Sequence, residues 1–568
     1  MVSVALLYER DGYDTSGPRL LGRHAAGEGF LKALARYGTA PDLYCYTGRE
    51  AGFQDFCQRV QPWLLGAKSC HWVPTETPEA LGRPGVLYRP DPLIVSQAWQ
   101  RRWGDPRAYS LCGVTHTLVS KETMAGLGDL LTAPVQPWDA IICTSQTVRT
   151  MLSRMLGEWA EYLAQRTGGR PALPVQLPVI PLGVDPEQFA QGEAATTARP
   201  RWRQQLGIPN DAVVVLFVGR LIFHAKAHPV PMYLALEIAA RRLGQRLYLI
   251  QAGWFEDEAQ AEAFKTAPAD FCPSVTSLFV DGRRAEVRRE IWAAADIFMS
   301  LADNIQETFG LTPLEAMATG LPVIVSDWDG YRESVRHGVD GFRVPTLMAP
   351  AGSGQDWAAR YLRDSLNYPT YIGHVSMGTA VDLDACVAAV VALAQNPQLR
   401  HQLGTNGRQR IAETYDWRVV IPAYEALWAE LAERRQQAEV IAPVAPGRPA
   451  VPLLDDPFHL LDYYASENLR PDLVVRLGPL ANPGAWAKLK QTGMTQFGSR
   501  ERLPEPLIQA LVNLVAQAGS ITVAELEAQL PPDAAGRLGR TLVYLVKFGV
   551  LSATHAPIPG VASPGEGQ

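Results

Sequence analysis

Residues 306–320 read QETFGLTPLEAMATG, and a short apolar run stands on each side, Ile297–Ser300 before it and Pro322–Ser326 after it. Such runs flanking a helical stretch read as buried strands of a parallel sheet. Glu307 and Glu315 stand with seven residues between them, on a glycine-containing loop that turns into a helix. Thr312 is expected as the N-cap, Pro313 at the first helical position and Gly320 at the helix end. The free N–H groups and positive dipole end of that helix would then meet whatever lies in front, and a diphosphate suits them. Spacing alone leaves a plainer reading beside this one. Thr312 and Glu315 have capping-box spacing, so Glu315 closes its own helix and Glu307 is a solvated loop acid.

Working outward, Ala212–Val218 (AVVVLFV) is a central strand, Pro231–Gly244 a helix, and Arg246–Ala252 and Ser277–Val280 strands. Glu286–Ala295 is a further helix. Upstream, a run at Val2–Tyr8, a glycine-rich loop and a helix at Glu28–Tyr37 begin a first alternation. It continues through Gly85–Tyr88, Ser110–Val119 and Ala140–Thr144. The expected fold class is α/β, with two Rossmann-like doubly wound domains facing a cleft and a small, mainly helical C-terminal domain. The polar, alanine-rich stretch Gln191–Pro200 reads as the joint. Two helices, Leu383–Ala394 and Trp417–Ala438, close the second domain, and Pro345–Val381 reads as a long irregular insertion. Ala442–Pro452 (APVAPGRPAVP) is a stiff proline-rich linker. Beyond it, helices at Pro506–Ala518, Val523–Leu530 and Ala534–Phe548 and a strand at Val550–Thr554 have the layout of a winged helix-turn-helix module. The expected boundaries are 1–195, 196–438, a linker at 439–454, a winged-helix-like domain at 455–558 and a disordered tail at 559–568.

Composition bounds the function. Of 568 residues, 47% are hydrophobic and 19% charged, enough to build several cores. A net charge of −6 speaks against wrapping nucleic acid. The 7 cysteines form no C-x-x-C pair, which argues against a zinc ribbon and suits reduced thiols in a cytoplasmic setting. The N-terminal apolar run is too short for a signal peptide, and no apolar stretch is long enough to span a membrane. Peripheral membrane contact stays open.

The run ETFGLTPLEAMATGLPVIVS at residues 307–326 resembles the signature of family four of the retaining glycosyltransferases. Other pieces follow in that family's order. Val179–Asp185 (VIPLGVD) resembles its domain-joining motif, Phe217–Lys226 (FVGRLIFHAK) its phosphate-binding motif, and Trp138–Ser145 (WDAIICTS) the strand closing its first domain. The resemblance covers residues 1–435 and is strongest over 179–345. It implies the GT-B fold and a nucleotide-sugar donor, UDP- or GDP-linked, with no other cofactor.

It also implies roles. Glu307 would bind donor hexose hydroxyls. Backbone N–H groups of Thr308, Phe309, Gly310 and Leu311 would hold the sugar and diphosphate, and Glu315 would grip the ribose. Arg220 and Lys226 would neutralise the diphosphate, their alternative being surface charge at a strand end. Ala227 stands where a glycine commonly follows that lysine. The family's paired glycines before the first helix are replaced by spread ones, Gly22, Gly27 and Gly29. Gly22 is the best candidate for close approach to phosphate or acceptor, with Arg23 and His24 behind it and plain turn chemistry as the alternative. His116, ending an apolar strand, would stand near the donor sugar as a second catalytic candidate, or be a structural histidine. Asp327 and Asp329 imitate a D-x-D metal site, but the family works without a metal, so none is expected.

In the tail, Arg537, Arg540 and Lys547 form no basic stripe, so a protein partner or dimerisation is expected in place of nucleic acid. The expected function is retaining hexosyl transfer to an unidentified acceptor hydroxyl on a saccharide, lipid or small molecule. The alternatives are a GT-B glucan synthase or epimerase, and a non-catalytic sugar-nucleotide-binding regulator acting through the tail.

Overall fold

The apolar runs become strands of two parallel sheets in the computed structural model, which describes residues 3–15, 17, 22–66, 68–189 and 192–554. The chain forms two units, Met1–Val451 and Pro452–Gln568. In the first unit, β1 (Ala5–Leu7), β2 (Asp42–Thr47), β3 (Ser69–Pro74), β4 (Val86–Arg89), β5 (Ser110–Val114) and β6 (Ala140–Ile142) lie in the order β3-β2-β1-β4-β5-β6. Next come β7 (Val214–Val218), β8 (Leu247–Gly253), β9 (Val275–Asp281), β10 (Ile297–Ser300), β11 (Val323–Ser326) and β12 (Gly341–Val344), in the order β12-β11-β10-β7-β8-β9. Numbered from its own first strand, the second sheet reads 6-5-4-1-2-3, the first sheet's order reversed in listing and identical in topology. Every pair within both sheets is parallel. These are the two Rossmann-like halves of a GT-B fold.

Each sheet reverses its winding between its first and fourth strands, and a crevice opens there beyond the strand C-termini. In the second sheet, Phe298 pairs with both Leu216 and Val323. That register brings the ends of β7, β10 and β11 level, so the loops after all three converge. Val214, Leu216, Phe298, Val323 and Val325 bury one face of the sheet, and Val215, Ile297, Met299 and Ile324 the other.

Several expectations change. The stretch read as the joint is helical from Gly192, within the helix Gly192–Gln205 that lies between β6 and β7. The insertion is ordered: β13 (Thr346–Met348) and β14 (Thr379–Val381) pair antiparallel and frame helices Gln355–Leu362 and Tyr368–Met377. Strands β2, β3 and β12 had no counterpart in the sequence reading. The helix Trp417–Gln437, counted by chain order with the second domain, belongs to the first domain's core. Its Trp417, Tyr424 and Trp428 are buried there, with Tyr424 ring-to-ring 4.9 Å from Phe30. Gly183 makes this return possible, since a Cβ there would stand 2.3 Å from Trp417.

In the second unit, helices Glu505–Ala518, Val523–Glu527 and Ala535–Lys547 enclose a core of Leu511, Val515, Leu538, Leu542 and Leu545. β15 (Val474–Leu477), which precedes all three helices, pairs antiparallel with β16 (Ile521–Thr522) and β17 (Leu551–Thr554). The helices and last strand match the sequence reading; β15 was not anticipated. The tail at 559–568 lies outside the described residues. Among those residues, no helix is long and apolar enough to cross a membrane.

Candidate active site

Three loops meet at the second sheet's switch point. After β7, Gly219 (φ 157°) leads into Arg220 and then Lys226. After β10 comes Asp303–Gly310, carrying Glu307, and after β11 comes Asp327–Gly330. The Lys226 Nζ donates to Glu307 Oε2 at 2.5 Å, with both side chains mostly buried at 18% and 13% exposure. Burial alone would raise the Glu307 carboxyl. Lys226, with the amides of Phe309 and Thr308, overrides this and holds it below the usual carboxylate range. Burial works against the Lys226 ammonium too, but Glu307 keeps it above its ordinary value. Burial lowers Arg220, against the opposing pull of Glu256 and Glu307. Its Nη2 donates to the Ala225 carbonyl at 3.3 Å.

The helix behind Glu307 runs Leu311–Thr319. Its N-cap is Gly310, not Thr312, and Pro313 is the third helical residue instead of the first. Gly310 adopts φ 85°, and a Cβ there would lie 1.9 Å from the Tyr331 ring, so both backbone and packing demand glycine. No side chain caps this helix, and the capping box expected of Thr312 and Glu315 is not formed. Burial pushes the Glu315 carboxyl up to about 7, against the opposing charge of Lys226. Gly320 ends the helix in the left-handed region, as its position in the sequence suggests.

Asp329 was weighed in the sequence only as half of a metal motif. It takes φ 42°, a strained value for a residue other than glycine, and its Oδ1 is buried without a hydrogen-bond partner. Burial, then the charges of Glu307 and Glu333, push its carboxyl up to about 8. Asp327 is engaged elsewhere, 3.4 Å from Arg343 and 3.8 Å from Arg332.

The two halves are clasped beside this cluster. Ser145, at the end of the first sheet, donates to the Thr308 carbonyl at 3.2 Å. Glu333 accepts from the amides of Gln146 and Thr147 at 2.8 and 3.0 Å, a carboxylate seated on a helix N-terminus. Nothing local to Ser145 or Glu333 announces this pairing, since 187 residues separate Gln146 from Glu333.

Arg220, Lys226, Glu307, Glu315 and the Thr308–Leu311 backbone thus come together at one switch point. His116 and Gly22 sit on the first half. His116 follows β5, where burial drives its imidazole down to about 4 despite Asp91 and the Pro90 carbonyl. It is neutral at pH 7. Gly22 opens the helix Gly22–Tyr37 on the surface, and a Cβ there would meet nothing within 4 Å. The glycine that packing requires is Gly27, whose Cβ would stand 2.1 Å from the Gly12 carbonyl oxygen.

Residues 198–350 match the family described as Glycosyl transferases group 1. A D-inositol 3-phosphate glycosyltransferase of Geodermatophilus obscurus is 29% identical over 355 residues, 59% of this chain and 65% of that protein. The Acidothermus cellulolyticus protein of the same description is 27% identical over 255 residues, covering 44% of this chain and 53% of its own. The chain therefore spans between 53% and 65% of the length of these curated relatives. Among solved structures, Anabaena Alr3699/HepE with UDP and glucose covers 76% of this chain and 100% of its own, at 14% identity and a TM-score of 0.48. Sucrose-phosphate synthase from Thermosynechococcus elongatus covers 76% and 99%, at 18% identity and a TM-score of 0.45.

Proposed function

We propose that this chain, which carries a group 1 glycosyltransferase domain at residues 198–350, transfers a hexose from a UDP- or GDP-sugar with retention of anomeric configuration. The observation that carries the reading is the buried Lys226–Glu307 pair at the second sheet's switch point, with Arg220 beside it and an uncapped helix N-terminus behind it. Arg220, Lys226 and the amides from Thr308 to Leu311 supply positive charge where the diphosphate departs. That charge does the work of a metal ion, so the reaction proceeds without one. Glu315 takes the ribose hydroxyls. Glu307 binds the hexose, whose ring gains positive charge as the bond to the diphosphate breaks. The acceptor oxygen bonds to the anomeric carbon from the face the diphosphate leaves, and its proton passes to a diphosphate oxygen. Closing the two halves orients these groups.

The names of the relatives make a phosphorylated polyol such as inositol 3-phosphate the first acceptor to try. The test is a panel of UDP- and GDP-hexoses with that acceptor, run in excess chelator and followed by nucleotide release and by the anomeric configuration of the product. Release that Lys226→Ala lowers, with a retained configuration, supports the reading. Binding of a donor with no turnover against any acceptor or water favours a sugar-nucleotide sensor. Loss on chelation, restored by magnesium, overturns the metal-free part.

A further inference from the structure

We propose that Tyr368, supplied by the insertion between β13 and β14, is a positioning residue that sets the diphosphate-binding loop through Gln306. This rests on the donor reading above. The helix Tyr368–Met377 lies directly on that loop. Buried Ile372 packs with Ile222 and Ala225, and Tyr368, Tyr371 and Ile305 line the same cluster. A Cβ on Gly373 would stand 2.9 Å from the His224 Cβ, so helix and loop are in contact at their backbones.

A relay of hydrogen bonds crosses this contact. The Tyr368 hydroxyl donates to Gln306 Oε1 at 3.3 Å. Gln306 Nε2 donates to the Ala225 carbonyl. The same carbonyl accepts from Arg220 Nη2 at 3.3 Å, and its peptide plane continues into Lys226. The direction of the relay is forced by chemistry. A carbonyl needs an N–H from the Gln306 amide, which turns the amide oxygen toward Tyr368, and that oxygen needs a hydroxyl donor. Burial raises the Tyr368 phenol, which therefore keeps its proton at neutral pH. Without the hydroxyl, the Gln306 amide is free to rotate. The Ala225 carbonyl then loses the contact that aligns it with Arg220 and orients Lys226. The consequence falls on the diphosphate and leaves the base and ribose untouched.

The test titrates the full chain with UDP and GDP by calorimetry and with uridine and guanosine by NMR. Wild type is expected to bind one nucleoside diphosphate more tightly than its nucleoside. Tyr368→Phe should weaken that diphosphate by about 3- to 10-fold, the worth of one hydrogen bond, and leave the nucleoside unchanged. Gln306→Leu should do the same, and the double variant no more than either single change. Two results overturn the inference. If wild type binds neither diphosphate, the donor reading falls and this one with it. If wild type binds and Lys226→Ala weakens the diphosphate, while Tyr368→Phe is silent or weakens nucleoside and diphosphate equally, Tyr368 only anchors the insertion and the donor reading stands.

Discussion

The two sheets share one topology, yet their switch points are furnished differently. At the first, the cation is already spent locally: Arg89 holds Asp91, two residues on, through contacts of 2.9 and 3.1 Å. The histidine at that edge, His116, is neutral. At the second, Lys226 meets a carboxylate 81 residues away, and the hydrogen bond of Arg220 goes only to a backbone carbonyl. Arg220 can turn to a diphosphate by giving up a carbonyl contact, whereas Lys226 would share its charge between Glu307 and the diphosphate. Topology supplies the crevice in both halves. Loop residues decide which crevice takes the charged end of a ligand.

The strongest way to break this contrast is Glu307→Gln. It keeps shape and removes charge where positive charge develops, so kcat should fall at least about 100-fold in steady-state transfer kinetics. Unchanged kcat would place the chemistry elsewhere. Lys226→Ala comes next, with kcat/KM lower by about 10- to 100-fold from one lost charge-assisted contact. Because it strands a buried carboxylate, its melting temperature should also fall, and Glu307→Gln added to it should restore part of that loss. A Lys226→Ala variant with wild-type kinetics would make the second switch point no better furnished than the first.

Asp329 sharpens the comparison through pH. Unfolded aspartate titrates near 3.9, whereas the folded carboxyl is pushed up to about 8. The folded state therefore holds a proton that the unfolded chain has released, so stability from this group is full below the unfolded pKa. It declines as pH rises from about 4 through about 8. Asp329→Asn should remove that decline, so wild type loses more melting temperature than the variant between pH 5 and pH 8. Equal losses would show that Asp329 is already ionised. The smallest effect is expected at the first switch point. His116→Asn should lower kcat by less than about 10-fold, with no new limb between pH 5 and 8, since only a neutral contact is lost. A loss matching that of Glu307→Gln would make the two switch points equal partners.

Much of this was legible in the chain. Valine-rich β7 and the strands flanking Gln306–Gly320 announce themselves because full burial leaves an uninterrupted apolar run. By contrast, β2 (DLYCYT) and β3 (SCHWVP) carry polar and aromatic residues and escape a periodicity reading. The insertion reads as loop because Pro369 and Gly373 stand inside the short helix Tyr368–Met377, whose apolar Ile372 faces the Arg220–Lys226 loop. Pro313 and Thr312 suggested a later helix start than the one Gly310 sets, since the clash with Tyr331 that demands glycine is a tertiary contact.

The amino-acid sequence by itself determined the alternation of strands and helices and the two doubly wound halves, which depend on local burial that the order of residues carries directly. Arg220, Lys226, Glu307 and Glu315 came forward through the motifs that resemble the glycosyltransferase family. Only the tertiary structure decided that Lys226 pairs with Glu307 and that Asp329 sits strained beside them, its carboxyl pushed up by burial. It also decided that Glu333 bridges to the first half and that Tyr368 reaches Gln306. Each of those depends on where a distant loop comes to rest. Burial there sets the cost of an unpaired charge, and that cost selects the partners.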